Sequence, residues 1–285
     1  MCLLSTPLPF MQTGKCFALL FIALILAGCK GKEALPPEST DIPSPRSSEG
    51  KSTLSDPLPS IPRLAGFVPS AFQIERSGLD KRLFALTFDA GSDAKAVSPI
   101  LAELKRRNVK ATFFLTGKFC ERYLKECKAI ADAGMEIGNH SYSHPQFTKL
   151  SDADIKRQLE RAETAIRKAC GRGAKPLFRF PYGAENAHVR AIVARCGYQS
   201  IYWSLDSQDA FREEKSANFV VNRYAKKLRG GQISLMHVSS LGSAHALPRV
   251  FAQLEKLGLK QVPVSEIVRD TILAKREKSR ANRRV

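Results

Sequence analysis

The sequence predicts an α/β fold in which about seven parallel strands close into a single (β/α) barrel. Short apolar runs alternate with amphipathic helical segments between residues 83 and 274, and about seven such units favour a closed barrel over an open sheet. Reactive side chains recur at the points where the predicted strands end. Because the carboxyl ends of barrel strands share one face, we expect these side chains to form one pocket.

Each predicted unit joins a short apolar run to the helical segment that follows it. The runs are short enough for buried strands, and the segments after them have the apolar spacing of amphipathic helices. In chain order the units are residues 83–88 with Ala94–Arg107, 111–117 with Phe119–Ala133, 135–140 with Asp152–Cys170, 176–180 with Glu185–Cys196, 198–204 with Ala217–Leu228, 232–237 with Ala244–Leu257, and 259–264 with Ser265–Ala274.

Residues 1–29 predict a lipoprotein signal peptide. An apolar run from Phe17 to Leu26 follows Lys15 and is too short to cross a bilayer comfortably. The small residues directly before Cys29 resemble the lipobox of bacterial lipoproteins, in which the cysteine is lipidated and becomes the first mature residue. The alternative is an ordinary secretory signal with a chance cysteine. Either signal places the protein outside the cytoplasm, and Lys30 favours a lipid anchor in the outer membrane.

Composition divides the rest of the chain into a tether, a domain and a tail. Residues 30–62 are rich in Pro, Ser, Glu and Lys and have no aromatic residue, which predicts a disordered tether. Residues 63–274 are numerous enough for one domain with a substantial core. Residues 275–285 form a basic tail in which Glu277 is the one acidic residue.

The formal net charge of +18 indicates anionic partners. Nucleic acid is a poor partner outside the cytoplasm, whereas an anionic envelope surface or polymer fits that compartment. For the tail alone, a solvated basic segment is an equal alternative. We expect a monomer that reaches the membrane through its lipid anchor.

Four cysteines follow the signal peptide: Cys120, Cys127, Cys170 and Cys196. An even number in an oxidising compartment indicates up to two disulfides, and all three pairings stay open. A bond between Cys120 and Cys127 would need a non-helical break, because seven helical residues separate Cα atoms by about 10 Å. All four lie in or beside predicted helices, away from the strand ends, so we expect none to be the catalytic nucleophile.

His140 and His144 form an H-x-x-x-H pattern at the end of the third predicted strand. On a helical turn this spacing places both imidazoles on one face within about 6 Å, which suits two ligands of a zinc-like ion. The spacing alone also occurs on solvated turns. Its position at a strand end favours metal binding.

Side chains at three other strand ends have the chemistry of acid–base catalysis. Asp89 ends a strand before a glycine turn and fits a general base, and Arg179 ends another strand. His237 has the chemistry to protonate a leaving group, while Asp206 and Asp209 could orient it or keep it charged. Taken singly, each has an alternative role as a turn cap or a surface acid.

The other two histidines, His188 and His245, lie within predicted helices, and we interpret both as structural or exposed.

The strand-end motifs, taken in order, resemble those of the polysaccharide deacetylase family, the family 4 carbohydrate esterases. The motifs are TFDAG, GNHSYSHP, FRFPYG, WSLDSQD and SLMH, and the resemblance covers Lys81 to Leu273. It implies a distorted (β/α) barrel, a divalent metal held by an Asp-His-His triad, and hydrolysis of an acetyl group on a sugar polymer. Zinc is the expected metal, with cobalt or nickel as alternatives.

The resemblance also implies roles for the residues that match the motifs. Asp89 would be the catalytic base, oriented by Arg179. His237 would be the general acid, with Asp209 as its partner. The metal would be bound by the two histidines of the third strand end, His140 and His144.

Three further residues would contact the substrate. Tyr182 would lie in the loop whose backbone N–H faces the oxyanion. Trp203 and Leu235 would line the pocket for the methyl group of the acetyl.

The first motif departs from the family pattern at Ala90, where the family usually has a second aspartate that binds the metal. Asp93, in the same turn, is the natural substitute if the turn is tight, and water is the weaker alternative. A site of two histidines alone should bind metal less tightly. Two other departures, Phe180 and Ala210, affect the expected substrate fit and leave the reaction class unchanged.

These inferences predict a metal-dependent deacetylase that removes N-acetyl groups from amino sugars of an envelope polysaccharide, foremost peptidoglycan. Chitin, poly-N-acetylglucosamine and xylan are alternative substrates. The alternative function is a non-catalytic glycan-binding or envelope-organising protein with a degenerate metal site. Retention of Asp89, Arg179 and His237 favours the enzyme, because a binder needs no acid–base set.

Overall fold

The computed structural model describes residue 64, residues 66–210 and residues 213–282. The predicted signal peptide with Cys29, the predicted tether and the last three residues of the basic tail lie outside the described residues. Within the described ranges, none of the helices combines the length with the apolar composition that a bilayer crossing needs.

The fold is an α/β sheet of parallel strands that curls into an incomplete barrel, so the predicted fold class is confirmed. Seven strands follow the order β5-β4-β3-β2-β1-β7-β6, and β8 pairs with the start of β1. The strands are β1 (Leu83–Ala90), β2 (Thr112–Leu115), β3 (Glu136–Asn139), β4 (Leu177–Phe178), β5 (Gln199–Ser200), β6 (Leu205–Asp206), β7 (Ile233–His237) and β8 (Lys260–Gln261).

A short segment near the start of the described domain joins the edge strand β5 to the residues just before β7. The Ile74 N–H donates to the Ser200 carbonyl at 3.0 Å, beside β5. Three residues later the Ser77 N–H donates to the Gly231 carbonyl at 2.7 Å, just before β7. The gap in the barrel is therefore spanned by backbone hydrogen bonds of residues 74–77 rather than by a further full strand.

Eight α-helices surround the sheet in the described residues. They are α1 (Val97–Arg106), α2 (Gly117–Arg122), α3 (Leu124–Asp132), α4 (Asp152–Cys170), α5 (Ala187–Arg195), α6 (Ala217–Lys227), α7 (Leu241–Lys256) and α8 (Val264–Ala281). Two 3-10 turns, Phe147–Lys149 and Pro181–Gly183, lie in the loops after β3 and β4.

Three predicted helix boundaries were wrong. The segment Phe119–Ala133 is two helices, because Tyr123 has φ −122° and ψ 54° and breaks the helix between α2 and α3. The seventh helix starts before Ala244, where the Ser240 side chain accepts the N–H of Ser243 and caps α7. The last helix continues to Ala281, so the first part of the predicted basic tail is helical.

Because side chains alternate between the two faces of β1, the polar residues near its end face the inside of the barrel. Phe84, Leu86 and Phe88 pack against the surrounding helices, whereas Ala85 packs in a separate cluster with α8. Successive strand side chains point to opposite faces, so Thr87 and Asp89 share the face of Ala85. Each buried phenylalanine contributes about 1.5–3 kcal/mol of apolar burial, which fixes this register against a one-residue slip.

The cysteines do not form the two pairs that their even number indicated. Cys120 and Cys127 are buried with Cys170 packed against the same core cluster, whereas Cys196 packs in another cluster beside α5. All four are free thiols. Neither of the two possible disulfides is formed, and Cys196 lies among apolar side chains of a different cluster.

Candidate active site

The site lies at the carboxyl ends of β1, β3, β4 and β7, as the sequence predicted. Asp89 and His237 are register partners on the adjacent strands β1 and β7. His140 follows β3 directly, and Arg179 follows β4. Four polar side chains from separate parts of the sequence therefore meet at one edge of the sheet.

Asp89 and Arg179 form a buried ion pair. Arg179 Nη1 donates to Asp89 Oδ1 at 2.7 Å and to Thr87 Oγ1 at 2.7 Å. Arg179 has no exposed surface, and its guanidinium lies 4.1 Å from the Phe114 ring centroid. A buried guanidinium needs such partners, since an unpaired charge there would cost several kcal/mol.

This pair keeps the Asp89 carboxylate ionised. Burial alone would raise its pKa, but the opposing effects, led by the charge of Arg179, hold the pKa below its ordinary value. The other carboxylate oxygen, Oδ2, lies 3.4 Å from His140 Nε2. One oxygen of Asp89 is thus fixed by Arg179, and the other faces the histidines.

His140 and His144 lie in an irregular loop rather than on the helical turn that their spacing suggested. Ser141 and His144 both have positive φ, 69° and 61°, which no helical turn contains. The two rings still meet, with centroids 4.8 Å apart. The prediction of proximity was correct, but its geometric basis was wrong.

Side chains from the strand and from α4 hold this loop. Asn139 Oδ1 accepts the Ser141 N–H at 2.8 Å, and Ser141 Oγ accepts the His144 N–H at 3.0 Å. Gln158 Oε1, on α4, accepts the N–H groups of Tyr142 and Ser143 at 3.0 and 2.9 Å. These bonds replace the helical backbone pattern and orient both imidazoles.

Both imidazoles are in the form that binds metals. His140 Nδ1 lies 2.9 Å from the Arg179 carbonyl oxygen; since a carbonyl only accepts, Nδ1 carries the proton and Nε2 keeps its lone pair. Burial lowers the pKa of His140. Burial, followed by the effect of the neighbouring His140, lowers the pKa of His144 to about 4. Both rings are therefore neutral near pH 7.

The two histidines fit a divalent metal, but a third protein ligand is not assembled with them. Ala90, the last residue of β1, is fully buried and has no donor atom. Asp93 Oδ1 accepts the Lys95 N–H at 3.1 Å. Across the described ranges, no group of three or more His, Cys, Asp or Glu side chains is arranged to hold a metal ion. The role of Asp93 as the third ligand stays a prediction.

His237 and Asp209 form a hydrogen-bonded pair opposite the histidine loop. His237 Nδ1 lies 2.7 Å from Asp209 Oδ1, and the His237 N–H donates to Oδ2 at 3.0 Å. The Ser243 hydroxyl, in the first turn of α7, also donates to Asp209. Burial lowers the pKa of His237, but the hydrogen bond and charge of Asp209 outweigh burial and raise it above its ordinary value.

Asp206 does not share that role. Its Oδ1 accepts the Gln208 N–H at 2.7 Å and closes a turn in which Gln208 has φ 59°. Of the two aspartates considered from sequence, the structure joins only Asp209 to His237.

The three predicted substrate-contacting residues lie around these groups. Tyr182 is 65% exposed, has φ 60°, and its ring lies 4.4 Å from that of His144. Trp203 stacks on Tyr202 with a centroid distance of 4.0 Å. Leu235 lies two residues before His237 on β7 and so shares its face.

Two departures from the family pattern have structural outcomes. Phe180 is buried and packs edge-on against Phe147 and Phe178, so it belongs to the core rather than to the substrate surface. Ala210 is exposed at the end of a described range. The histidines interpreted as structural or exposed, His188 and His245, are both exposed, and His188 Nε2 lies 2.9 Å from Asp152 Oδ1.

Sequence reasoning missed several residues that position the site. Thr87 is two residues before Asp89, and strand periodicity could have placed it on the same face. Asn139 directly precedes His140, but its hydrogen bonds to the Leu159 carbonyl and Tyr198 Oη reach distant segments. Gln158 and Ser243 lie on helices and gave no local signal.

Known proteins support the family that the motifs suggested. The family model described as polysaccharide deacetylase matches residues 76–201. A peptidoglycan-N-acetylglucosamine deacetylase of Bacillus cereus is 33% identical over 187 residues, which are 64% of this chain and 67% of that protein. A peptidoglycan-N-acetylmuramic acid deacetylase of Bacillus subtilis is 31% identical over 61% of this chain and 66% of that protein.

Among solved structures, a CE4 family pseudoenzyme from Bacillus anthracis is similar, with a TM-score of 0.65 and 31% identity over 70% of this chain and 69% of that one. A mutant of the same pseudoenzyme with restored enzymatic activity matches with a TM-score of 0.65 and 32% identity, over 70% of this chain and 71% of that one. The fold, the strand-end motifs and these relatives agree. The chain belongs to the polysaccharide deacetylase family of hydrolases.

Proposed function

We propose that this protein is a metal-dependent deacetylase that removes N-acetyl groups from the amino sugars of peptidoglycan. The relatives from Bacillus cereus and Bacillus subtilis carry that activity in their names. The single observation that carries the proposal is the arrangement of Asp89 and His237 on paired strands, each with its own buried charge partner. A glycan-binding surface has no need for two buried ion pairs at one point.

The chain supplies a base and an acid from opposite sides of the pocket. Asp89, kept ionised by Arg179, accepts a proton from the attacking water through Oδ2. His237, held by Asp209 through Nδ1, donates a proton from Nε2 to the departing amine. The water oxygen first adds to the carbonyl carbon; the amide C–N bond then breaks as the nitrogen is protonated, which gives acetate and a free amino sugar.

A divalent metal, with zinc as the proposed ion, would be held by His140 and His144. When bound, such an ion polarises the acetyl carbonyl and lowers the pKa of water. The backbone N–H of Tyr182, in the turn after Arg179, is proposed to face the developing oxyanion. Trp203 and Leu235 are proposed to enclose the acetyl methyl group.

We also propose that the protein acts at the cell envelope. The lipobox-like sequence ending at Cys29 supports lipid attachment, and residues 30–62 support a tether between that lipid and the domain. Incorporation of labelled palmitate that is lost in Cys29→Ser would support the anchor. Unchanged labelling in that variant would contradict it.

Acetate release from purified peptidoglycan tests the proposed activity. The full chain in detergent is treated with a chelator and then supplied with zinc or cobalt. Release that disappears with the chelator, returns with metal and is absent in Asp89→Asn supports the enzyme. Parallel assays on chitin, poly-N-acetylglucosamine and acetylated xylan decide between the proposed substrate and its alternatives.

A second candidate is a non-catalytic glycan-binding protein. It is favoured by Ala90, by the absence of a three-ligand set in the described part of the chain, and by the similarity to a pseudoenzyme. A folded protein that binds peptidoglycan but releases no acetate from any of the four glycans with any metal would establish this function and overturn the first.

A further inference from the structure

Three cysteines from different helices meet at the junction of α2, α3 and α4. Cys120 and Cys127 have no exposed surface, while Cys170, the last residue of α4, is partly exposed. The three pack in or against one core cluster, and Cys170 Sγ is 3.6 Å from the Cys127 carbonyl oxygen. We call these three residues the thiol cluster. It lies apart from the histidine and aspartate residues of the candidate active site.

The helix break at Tyr123 keeps Cys120 and Cys127 from lying on one continuous helix. In a continuous helix Cys120 and Cys127 would be about 10 Å apart, but Tyr123 has non-helical backbone angles and separates α2 from α3. Cysteines that pack in one cluster need only a short approach for two sulfurs to reach the ~2.05 Å of a disulfide bond.

Cys170 is the member of the cluster that an oxidant can reach. The two neighbouring thiols donate hydrogen bonds to its sulfur and lower the pKa of Cys170 to about 4, whereas the same contacts raise the pKa of Cys120. Cys170 therefore combines partial exposure with thiolate character, the two properties of a reactive cysteine.

We propose that the thiol cluster is a redox site in which Cys170 forms a disulfide with Cys120 or Cys127. The Cys170 thiolate attacks a small-molecule or protein disulfide, forms a mixed disulfide and releases one thiolate of the donor. The second cysteine, deprotonated as it attacks, displaces the remaining donor thiolate from the Cys170 sulfur. Two protein thiols are oxidised, and one donor disulfide is reduced to two thiols.

This disulfide would tie together the helices that support the histidine loop. In α2, the Gly117 N–H donates to the Ser141 carbonyl at 3.0 Å, and the Lys118 N–H donates to the Tyr142 carbonyl at 2.9 Å. The fourth helix holds the same loop through Gln158. The redox state of the cluster therefore acts on the stability of the segment between His140 and His144, whichever reaction the domain performs.

Peptide mapping after oxidation tests the proposal. Trypsin separates the three cysteines into residues 119–122, 126–128 and 169–172. The folded, reduced full chain is treated with oxidised glutathione, alkylated under denaturing conditions and digested. We expect a cross-link between peptide 169–172 and one of the other two. Alkylation of all three thiols, a lasting glutathione adduct on wild-type Cys170, or a bond joining Cys170 to Cys196 would overturn the proposal.

Variants separate the chemistry from folding defects. Cys196→Ser is the matched control and should form the same cross-link as the wild type. Cys120→Ala/Cys127→Ala should trap glutathione on Cys170, because no second thiol remains to displace it. If that variant does not fold, Cys170→Ser serves instead and should form no cross-link from the cluster.

Thermal unfolding gives a second readout. Closing a loop of about 40–50 residues should raise Tm of the oxidised wild type by roughly 5–10 °C, and a reductant should reverse the rise. Cys170→Ser should melt at the same temperature with and without glutathione. An equal Tm for oxidised and reduced wild type, with the cross-link present, would overturn the proposed stabilisation of the loop.

Discussion

Asp89 and His237 are paired in register on the adjacent strands β1 and β7, and the Asp89 carbonyl oxygen accepts the N–H of Val238 at 3.1 Å. Each has its own charged partner: Arg179 for Asp89 and Asp209 for His237. The two ion pairs are therefore held by the sheet itself, and the pocket between them needs no loop movement to bring base and acid together.

Replacing the proposed base should abolish deacetylation in a protein that still folds. In Asp89→Asn the amide oxygen still accepts from Arg179, but the buried guanidinium loses its counter-charge, so the free energy of unfolding should fall by about 3–5 kcal/mol. Loss of the carboxylate should lower kcat/KM on an N-acetylated glycan by roughly 10²–10⁴-fold. Asp132→Asn, an exposed control that removes only the pair with Lys128, should change neither quantity measurably. Full activity in Asp89→Asn would remove Asp89 from the mechanism.

The pH profile should depend more strongly on Asp209 than on Asp206. A general acid must be protonated, so activity is lost as pH rises through the pKa of His237. Burial lowers that pKa, and Asp209 raises it above its ordinary value. Asp209→Asn should therefore move the alkaline limb of kcat/KM to lower pH. Asp206 closes a neighbouring turn and acts on His237 through its charge alone, which raises that pKa less than Asp209 does, so Asp206→Asn should move the limb less. Equal shifts in both variants would contradict a specific His237–Asp209 pair.

A carboxylate at position 90 should strengthen metal binding. Ala90 ends β1, and the turn after it runs beside the histidines, since a Cβ added at Gly91 would lie 3.8 Å from His144 Cδ2. Ala90→Asp would add an oxygen ligand to two imidazoles, so we expect metal affinity to rise on the order of 10-fold or more. Competition with a chelator measures this directly, and acetate release should increase with it.

Asp93→Asn is the companion variant for the third-ligand prediction. A fall in metal affinity would support Asp93 as the relocated ligand. An unchanged affinity would leave the two histidines as the protein ligands and contradict that prediction.

Gly183 should be far less tolerant of a side chain than another glycine with similar backbone angles. Gly183 has φ 64°, and an added Cβ would lie 2.7 Å from Tyr202 and 2.8 Å from Trp203. Gly258 has φ 62°, and its Cβ would meet no described atom within 4 Å. Gly258→Ala should cost about 1–2 kcal/mol of stability through backbone strain alone. Gly183→Ala should cost more and raise KM, because it displaces the proposed acetyl-pocket tryptophan. Equal stability losses and equal KM values would contradict this.

The fold class and the positions of the reactive residues followed from local pattern. Apolar runs mark strands, and Asp89, Arg179 and His237 mark where they end. In a parallel sheet those two facts already imply a shared pocket. The pairing of Asp209 with His237 came from the family resemblance, and the structure brings the two side chains together.

Other features depend on contacts between distant segments. The histidine loop is irregular because Asn139, Ser141 and Gln158 hold its backbone, and no periodicity in the sequence encodes that network. The helix break at Tyr123 was equally invisible, since the surrounding residues have the apolar spacing of one helix. The even cysteine number left the pairing open, because parity says nothing about distance.

The sequence by itself determined the α/β architecture and the residues available for acid–base chemistry, because these depend on residue type and on periodicity along the chain. The missing aspartate at position 90 came from comparing the first motif with the family that the sequence resembles. Only the tertiary structure decided that Arg179 is buried against Asp89 and that the two histidines are neutral. It also decided that three cysteines pack in or against one core cluster while Cys196 packs in another. Burial, protonation and sulfur contact depend on distances between residues far apart in sequence, which packing alone sets.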